Sequence, residues 1–186
     1  MKGKYKMLYV LIAVLVFFDQ YIKNLITQNI AFGGEVPVID GFFSIVHATN
    51  TGGAFSFLAE NDWGIFLLSG ISIVVSVILL YTLYRLRSRH VFWIRFAIAL
   101  LVSGTIGNMI DRIRVKSVVD YLMFTFGTYT FPIFNLADMC IVCGSILLAV
   151  LLMFDKTLFR TKEENMKTSL PTDADTTEGK SPTNDA

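Results

Sequence analysis

The sequence predicts an all-α membrane protein whose four transmembrane helices carry a small extracytoplasmic β-element. Of the 186 residues, 54% are hydrophobic and 17% are charged, whereas about a quarter of an ordinary soluble domain is charged. Four apolar stretches have close to the roughly 20 residues that a helix needs to cross a bilayer. An Asp-Gly pair between two β-prone runs predicts a hairpin.

The first helix is predicted from about Tyr5 to Ile26. Its apolar run, Met7 to Phe18, resembles the core of a secretory signal peptide. No small-residue cleavage site follows, and apolar residues at helical spacing continue beyond Asp19. We therefore predict one retained helix.

The other three spans are bounded by charged or helix-capping residues. Residues 65–84 contain no charge, 91–110 contain only Arg95, and 136–154 contain only Asp138. Asn135, a residue type that favours the position before a helix, precedes the fourth span.

Basic residues predict the orientation, because Lys and Arg are enriched on the cytoplasmic side of membrane proteins. Both termini are therefore expected in the cytoplasm, with loops 27–64 and 111–135 outside. The basic residues lie before helix 1, around the turn between helices 2 and 3, and after helix 4: Lys2, Lys4, Lys6, Arg85, Arg87, Arg89, Arg95, Lys156, Arg160 and Lys162.

Both outer loops contain hairpin signals. Asp40-Gly41 separates residues 36–39 from 42–46, and Gly127-Thr128 separates the aromatic runs 124–126 and 129–131 more weakly. The second set of aromatic residues could equally lie in the membrane interface. We treat residues 1–160 as one four-helix membrane domain, and the polar segment 161–186 as a disordered cytoplasmic tail that cannot repay its ordering entropy by burial.

The predicted topology collects polar residues at the outer ends of the helices. An ionisable residue costs about 2.5–3.5 kcal/mol at the centre of a spanning helix and less near its ends. Individual residues could simply reach the interface, with Asp19 paired to Lys23 and Asn135 paired to Asp138 as a helix cap. For the whole set this explanation is weaker, because Asp and Asn side chains are short. The set is Asp19, Lys23, Asn108, Asp111, Arg112, Asn135 and Asp138, with Asp120 in the loop between helices 3 and 4.

Carboxylates are the remaining chemistry in the sequence. No pattern for a covalent nucleophile, a zinc site or a phosphate loop occurs, and no basic stripe suits nucleic acid. Cys140 and Cys143 lie in an apolar run, and His47 and His90 have no acid or nucleophile nearby, so we treat all four as structural. Two carboxyl groups held close together share a proton and can supply a general base and a general acid. That chemistry suits water-mediated amide hydrolysis.

Five motifs carry a resemblance to a known family. Over about residues 5–155 the chain resembles the bacterial lipoprotein signal peptidase (signal peptidase II) family, although Ser103 and Thr105 stand where that family usually has Gly and Ala. Segment 50–55 is either a flexible turn or a loop whose small residues allow close approach of a substrate. The motifs are Asp19-Gln20-Tyr21-Ile22-Lys23, Asn50-Thr51-Gly52-Gly53-Ala54-Phe55, residues 104–112, Val118-Val119-Asp120-Tyr121 and Phe134-Asn135-Leu136-Ala137-Asp138.

The resemblance implies an aspartyl endopeptidase whose catalytic pair is Asp120 and Asp138. Because no zinc or phosphate-loop pattern occurs, we expect neither a cofactor nor a metal. The expected substrate is a pro-lipoprotein carrying a diacylglyceryl cysteine, cleaved just before that cysteine in the bacterial cytoplasmic membrane, with membrane lipid around the chain and the active site towards the outer leaflet. The chain is expected to act as a monomer. The implied positioning residues are Asn108, Asp111, Arg112 and Asn135, and those holding the substrate or the fold are Asp19, Lys23, Asn50 and Gly52.

Two other classes of protein remain as alternatives. A proton-coupled carrier also contains intramembrane Asp and Asn residues, but here the inner halves of the four helices are almost wholly apolar. A non-enzymatic membrane scaffold would keep its partner binding without Asp120 or Asp138.

Overall fold

The computed structural model describes residues 2–51, 62–88 and 91–154. These belong to the compact unit Met1–Leu151, apart from the last residues of the fourth helix. The predicted tail lies outside the described residues, so its disorder stays a prediction.

Four of the described helices are long and apolar enough to cross a membrane, which confirms the predicted fold class. They are α1 (Lys2–Asn29), α2 (Asp62–Arg85), α3 (Phe92–Val115) and α4 (Leu136–Phe154), and a single 3-10 turn, Leu86–Ser88, follows α2. Helix α3 extends to Val115, beyond the predicted end of the third span at Ile110, and it therefore includes Asp111 and Arg112. Lys116 ends it in the left-handed conformation, with φ of 57°.

Helix α3 lies at the centre of the bundle. In its most apolar stretch 56% of the residues are buried, against 17% in α1 and in α4. Glycines permit the close contact with α4: a Cβ at Gly104 would collide with the backbone oxygen of Ala137, and one at Gly144 would lie 2.9 Å from the backbone oxygen of Ala97. Small residues at helix contacts are how membrane helices pack closely.

The β-element is one antiparallel sheet of four strands, built from both outer loops. Its order is β1 (Glu35–Ile39), β2 (Phe43–Asn50), β3 (Val118–Phe126) and β4 (Tyr129–Thr130). Both predicted hairpins are present, and Gly41 and Gly127 take positive φ angles of 69° and 63° in their turns. The sequence did not indicate that β2 and β3 pair, which joins the two hairpins.

That pairing positions the predicted acid Asp120. It lies on strand β3 opposite Ala48, rather than in an irregular loop, and a register shift occurs in β2 between Ile45 and Ala48. Beneath the sheet, Val119 and Tyr121 pack with Ile26 of α1 in a buried apolar cluster. The strand is therefore anchored to the helical bundle on both sides of Asp120.

Candidate active site

A buried cation lies between two acids at the top of α1 and α3. Lys23 Nζ lies 2.9 Å from Asp19 Oδ2 and 2.8 Å from Asp111 Oδ2, and it donates a hydrogen bond of 3.0 Å to Asn108 Oδ1. Lys23 is only 3% exposed. Buried charges are tolerated when they are paired and hydrogen-bonded, so this network holds the two helices in a fixed register.

Gln20 is a member of this network that the sequence analysis did not select. Its Nε2 donates to Asp111 Oδ1 at 2.9 Å and to the Gly107 backbone oxygen at 3.1 Å. Gly107 is required here, because a Cβ at this position would lie 2.6 Å from Asp19 Oδ2. The sequence feature that could have identified Gln20 is its position next to Asp19, at the end of an apolar run.

The first backbone N–H groups of α4 are satisfied by several other parts of the chain. Leu136 donates to Tyr121 Oη at 3.2 Å, Ala137 to Asp19 Oδ1 at 3.0 Å, and Asp138 to Asn135 Oδ1 at 2.9 Å. In return, Asn135 N donates to Asp138 Oδ2 at 3.2 Å. The reciprocal pair is the cap that the sequence suggested, and it fixes the Asp138 side chain.

Two asparagines link Asp120 to Asp138. Asn135 Nδ2 donates to Asp120 Oδ1 at 2.6 Å and lies 3.2 Å from Asn108 Oδ1. Asn108 Nδ2 donates to Asp138 Oδ1 at 2.7 Å. Asn135 thus holds Asp120, Asn108 holds Asp138, and these two amides contact each other. Asn50 also hydrogen-bonds to Asp120. Because Asn108 also accepts from Lys23, the bridge is continuous with the buried cation.

The two carboxylates line one cavity of about 660 Å³. Its lining includes Ser72 of α2 and Thr105 of α3. Ser72 was not predicted, since a lone serine in an apolar helix gives no signal of its own. The lining also contains Asn50, Asn108, Arg112 and Ile133. This volume is within the range of small-molecule and peptide side-chain pockets.

Burial dominates the electrostatics of Asp120, which is 4% exposed. Burial, and then the nearby charge of Asp138, raises the pKa of Asp120 from 3.8 to about 7; hydrogen bonds from Asn135 and Asn50 and the charge of Lys23 oppose this. Burial also raises the pKa of Tyr121 to about 12, so its hydroxyl stays neutral. The Arg112 guanidinium interacts electrostatically with Asp138, Asp111 and Asp120.

The structure brings nine of the ten predicted site residues into one connected region, and Gly52 lies outside the described residues. Within the described ranges, no group of three or more His, Cys, Asp or Glu side chains could hold a metal ion. The nine residues are Asp19, Lys23, Asn50, Asn108, Asp111, Arg112, Asp120, Asn135 and Asp138.

These features define a class: a multi-pass membrane protein in which a buried network of acids and amides opens onto a cavity. The chain belongs to the signal peptidase II family, because the family model described as Signal peptidase (SPase) II matches residues 11–154. It is therefore a peptidase, and the carrier and scaffold alternatives are set aside.

Individual relatives agree with this membership. The chain is 42% identical over 135 residues to the lipoprotein signal peptidase of Symbiobacterium thermophilum, covering 73% of this chain and 86% of that protein. It is 38% identical over 138 residues to the lipoprotein signal peptidase of Cupriavidus taiwanensis, covering 74% and 77%. A solved structure, "Bacterial membrane enzyme structure by the in meso method at 2.3 A resolution", is similar with a TM-score of 0.71 and 28% identity, covering 84% of this chain and 93% of that one.

Proposed function

We propose that this chain is an aspartyl endopeptidase of the bacterial cytoplasmic membrane. It cleaves the signal peptide from pro-lipoproteins just before a diacylglyceryl-modified cysteine. Asp120 and Asp138 activate the attacking water, and neither a metal nor a cofactor takes part. The relatives named lipoprotein signal peptidase support the substrate class.

One observation carries the proposal: Asp120 and Asp138 line the same cavity, and the nearby charge of Asp138 helps to raise the pKa of Asp120. The region contains four carboxylates and two cations, Lys23 and Arg112, so the fully ionised site has two excess negative charges. The four carboxylates are Asp19, Asp111, Asp120 and Asp138. Retaining one proton on the Asp120–Asp138 pair relieves this repulsion. A pKa of about 7 for Asp120 supports one shared proton near neutral pH.

The shared proton determines the reaction steps. The ionised carboxylate removes a proton from water as the water oxygen attacks the scissile carbonyl carbon. The protonated carboxyl donates a hydrogen bond to the carbonyl oxygen, where negative charge develops. When the C–N bond breaks, a carboxyl proton passes to the leaving amine. Greater burial favours Asp120 as the member that holds the proton at the start.

The remaining cavity residues position the acids and the peptide. Asn108 and Asn135 hold the two carboxylates through hydrogen bonds of 2.7 and 2.6 Å. Arg112 and Asn50 line the same cavity, where Arg112 can donate to the backbone of a bound peptide and Asn50 helps to hold Asp120. Gly52 is assigned to the adjoining loop by the motif alone.

The location of the site suits a substrate that stays in the bilayer. The acids lie at the helix ends that carry the sheet, and we assign this end to the outer leaflet and both termini to the cytoplasm, from the basic residues of the opposite end. A signal helix and two acyl chains would bring the scissile bond to this depth. One chain supplies both acids and both amides, so we propose that it acts as a monomer.

The test is cleavage of a diacylglyceryl-modified pro-lipoprotein by the purified protein in lipid. We expect Asp120→Asn and Asp138→Asn each to lose cleavage while remaining folded. Asp40→Asn, which removes an exposed carboxylate of the β1–β2 turn, is the matched control and should cleave normally. A chelator should leave the wild type active. Cleavage near the wild-type rate by either dyad variant would refute the dyad, and loss of activity with chelator would refute the metal-free mechanism.

A further inference from the structure

The outer sheet carries a cluster of phenylalanines at the end remote from Asp120. The rings form a continuous series of contacts: Phe42 with Phe124 and Phe126, Phe124 with Phe43 and Phe134, and Phe134 with Phe131, at centroid distances of 4.8 to 5.9 Å. We call these six residues, together with Tyr129, the aromatic tip. Gly127, in the β3–β4 turn, lies between Phe126 and Tyr129 in the sequence.

The aromatic tip is not a buried core. Phe42 is 40% exposed, Phe126 55%, Tyr129 59% and Phe131 46%, and the other three members are half-buried. Clustered phenylalanines in a water-soluble domain bury their rings, since this supplies most of their contribution to stability. A contiguous exposed aromatic patch marks a surface that binds another protein, a ligand or a membrane.

The charge pattern identifies the chemistry of that contact. Residues 121–134, which form the end of β3, its turn, β4 and the return to α4, contain no charged side chain. No Lys or Arg occurs between Lys23 and Arg85, so β1 and β2 also lack cations. Two exposed acids, Glu35 of β1 and Asp40 of the β1–β2 turn, lie elsewhere on the first hairpin. The uncharged segment 121–134, rich in Phe and Tyr, fits the boundary between lipid headgroups and acyl chains, where aromatic residues are enriched.

The connections of the hairpin lead directly into the membrane-spanning region. Strand β3 begins at Val118, three residues after α3 ends at Val115, and Phe134 precedes α4 by two residues. From Val118 to Phe126 the strand rises about 26 Å. An upright strand would place the tip far beyond the interfacial layer, which is roughly 5–7 Å thick on each side. A strand that lies along the surface keeps the tip in that layer.

We propose that the aromatic tip inserts into the headgroup–acyl boundary of the leaflet next to the site, so that the sheet lies along the bilayer surface. The partner is the lipid bilayer itself. Because Asp120 lies six residues from Phe126 on the same strand, this contact fixes the depth and tilt of the strand that carries Asp120. The inference concerns the membrane contact of the sheet, and it holds or fails independently of catalysis.

The experiment is depth-dependent tryptophan quenching in vesicles. Trp63 and Trp93 are replaced by Phe, and one new tryptophan is introduced as Phe126→Trp or, separately, as Tyr129→Trp. Tyr129 makes none of the ring contacts described above, so its variant preserves the test if Phe126→Trp does not fold. Val77→Trp, on the exposed face of α2, gives the lipid reference, and Thr177→Trp, in the predicted tail, gives the water reference.

Phosphatidylcholine brominated near the carbonyl end of its acyl chains should quench both tip tryptophans more strongly than lipid brominated deep in the chain, with the opposite order for Val77→Trp. Aqueous iodide should quench the tip much less than Thr177→Trp. Strong iodide quenching without bromolipid quenching would overturn the proposal by placing the tip in water. Protection from both quenchers would also overturn it, because a second protein chain would then cover the tip.

Discussion

Replacing Asp120 by Asn should stabilise the protein at neutral pH while abolishing its proposed activity. The side chain is 4% exposed, and burial is the largest cause of its raised pKa. Asparagine has nearly the same shape and can still accept the hydrogen bond from Asn135 Nδ2. It removes the charge that burial makes unfavourable.

The size of the effect follows from the pKa change. A rise from 3.8 to about 7 corresponds to about 4 kcal/mol, since one pH unit is worth about 1.4 kcal/mol. The folded protein binds the Asp120 proton more tightly than the unfolded chain does, so protonation of Asp120 stabilises the folded state. The free energy of unfolding of the wild type is therefore highest below pH 3.8, falls as the pH rises towards 7, and is constant above that as far as Asp120 is concerned. The advantage of Asp120→Asn should be small below pH 4, grow up to pH 7 and then level off.

The assay is reversible or thermal unfolding of both proteins in the same detergent at closely spaced pH values from 4 to 8. The difference between the variants removes the contributions of other titrating groups. Asp40→Asn, at an exposed turn, is the control, and its difference from wild type should not follow this profile. An Asp120→Asn protein whose advantage is the same at pH 4 and pH 8, or which is less stable at pH 8, would refute the reasoning.

Three further predictions concern the network and the helix contacts. Lys23→Met should lower the free energy of unfolding by about 3–5 kcal/mol, because two buried carboxylates lose their cation. Lys116→Met, at an exposed position, should change it by less than about 0.5 kcal/mol, and equal effects in denaturation would contradict the buried pairing. Gly104→Ala should lower the unfolding temperature because its Cβ collides with backbone of α4, whereas Gly70→Ala, with nothing within 4 Å, should leave it unchanged or higher; a tolerated Gly104→Ala would show that the helices are not in close contact there. Cleavage, measured as kcat/KM against pH, should decline above about pH 7 as Asp120 loses its proton, and a profile that is flat from pH 6 to 9 would rule out a protonated Asp120 in the reaction.

The helices and hairpin turns could be predicted because their signals are local. Four apolar runs of membrane-spanning length give four helices, and Asp40-Gly41 gives the turn between β1 and β2. Pairing between β2 and β3 has no such signal, since it joins residues about 70 positions apart, such as Ala48 and Asp120. For this reason Asp120 was assigned to a loop, although it is on a strand.

The candidate site was predictable to the extent that its members form local pairs or motifs. The ion pair of Asp19 with Lys23 and the reciprocal hydrogen bonds of Asn135 with Asp138 both occur as the sequence suggested. The two pairs belong to one network, because Asn108 accepts a hydrogen bond from Lys23 and donates one to Asp138. Sequence spacing could not reveal this link, since Asn108 is distant in sequence from both pairs. The family resemblance implied that these residues act together.

The alternative of simple helix-end stabilisation and the catalytic proposal are compatible in this fold. Asp19 accepts a hydrogen bond from Ala137 of α4 and binds Lys23 of α1, so it links these two helices. Asp120 has a burial cost that its hydrogen bonds from Asn135 and Asn50 only partly offset. One connected network thus contains residues that stabilise the fold and a residue that is retained despite destabilising it. A protein that only needed a stable helix end would have no use for the second kind, so a buried, destabilising carboxyl beside a cavity supports the proposed role of Asp120 in proton transfer.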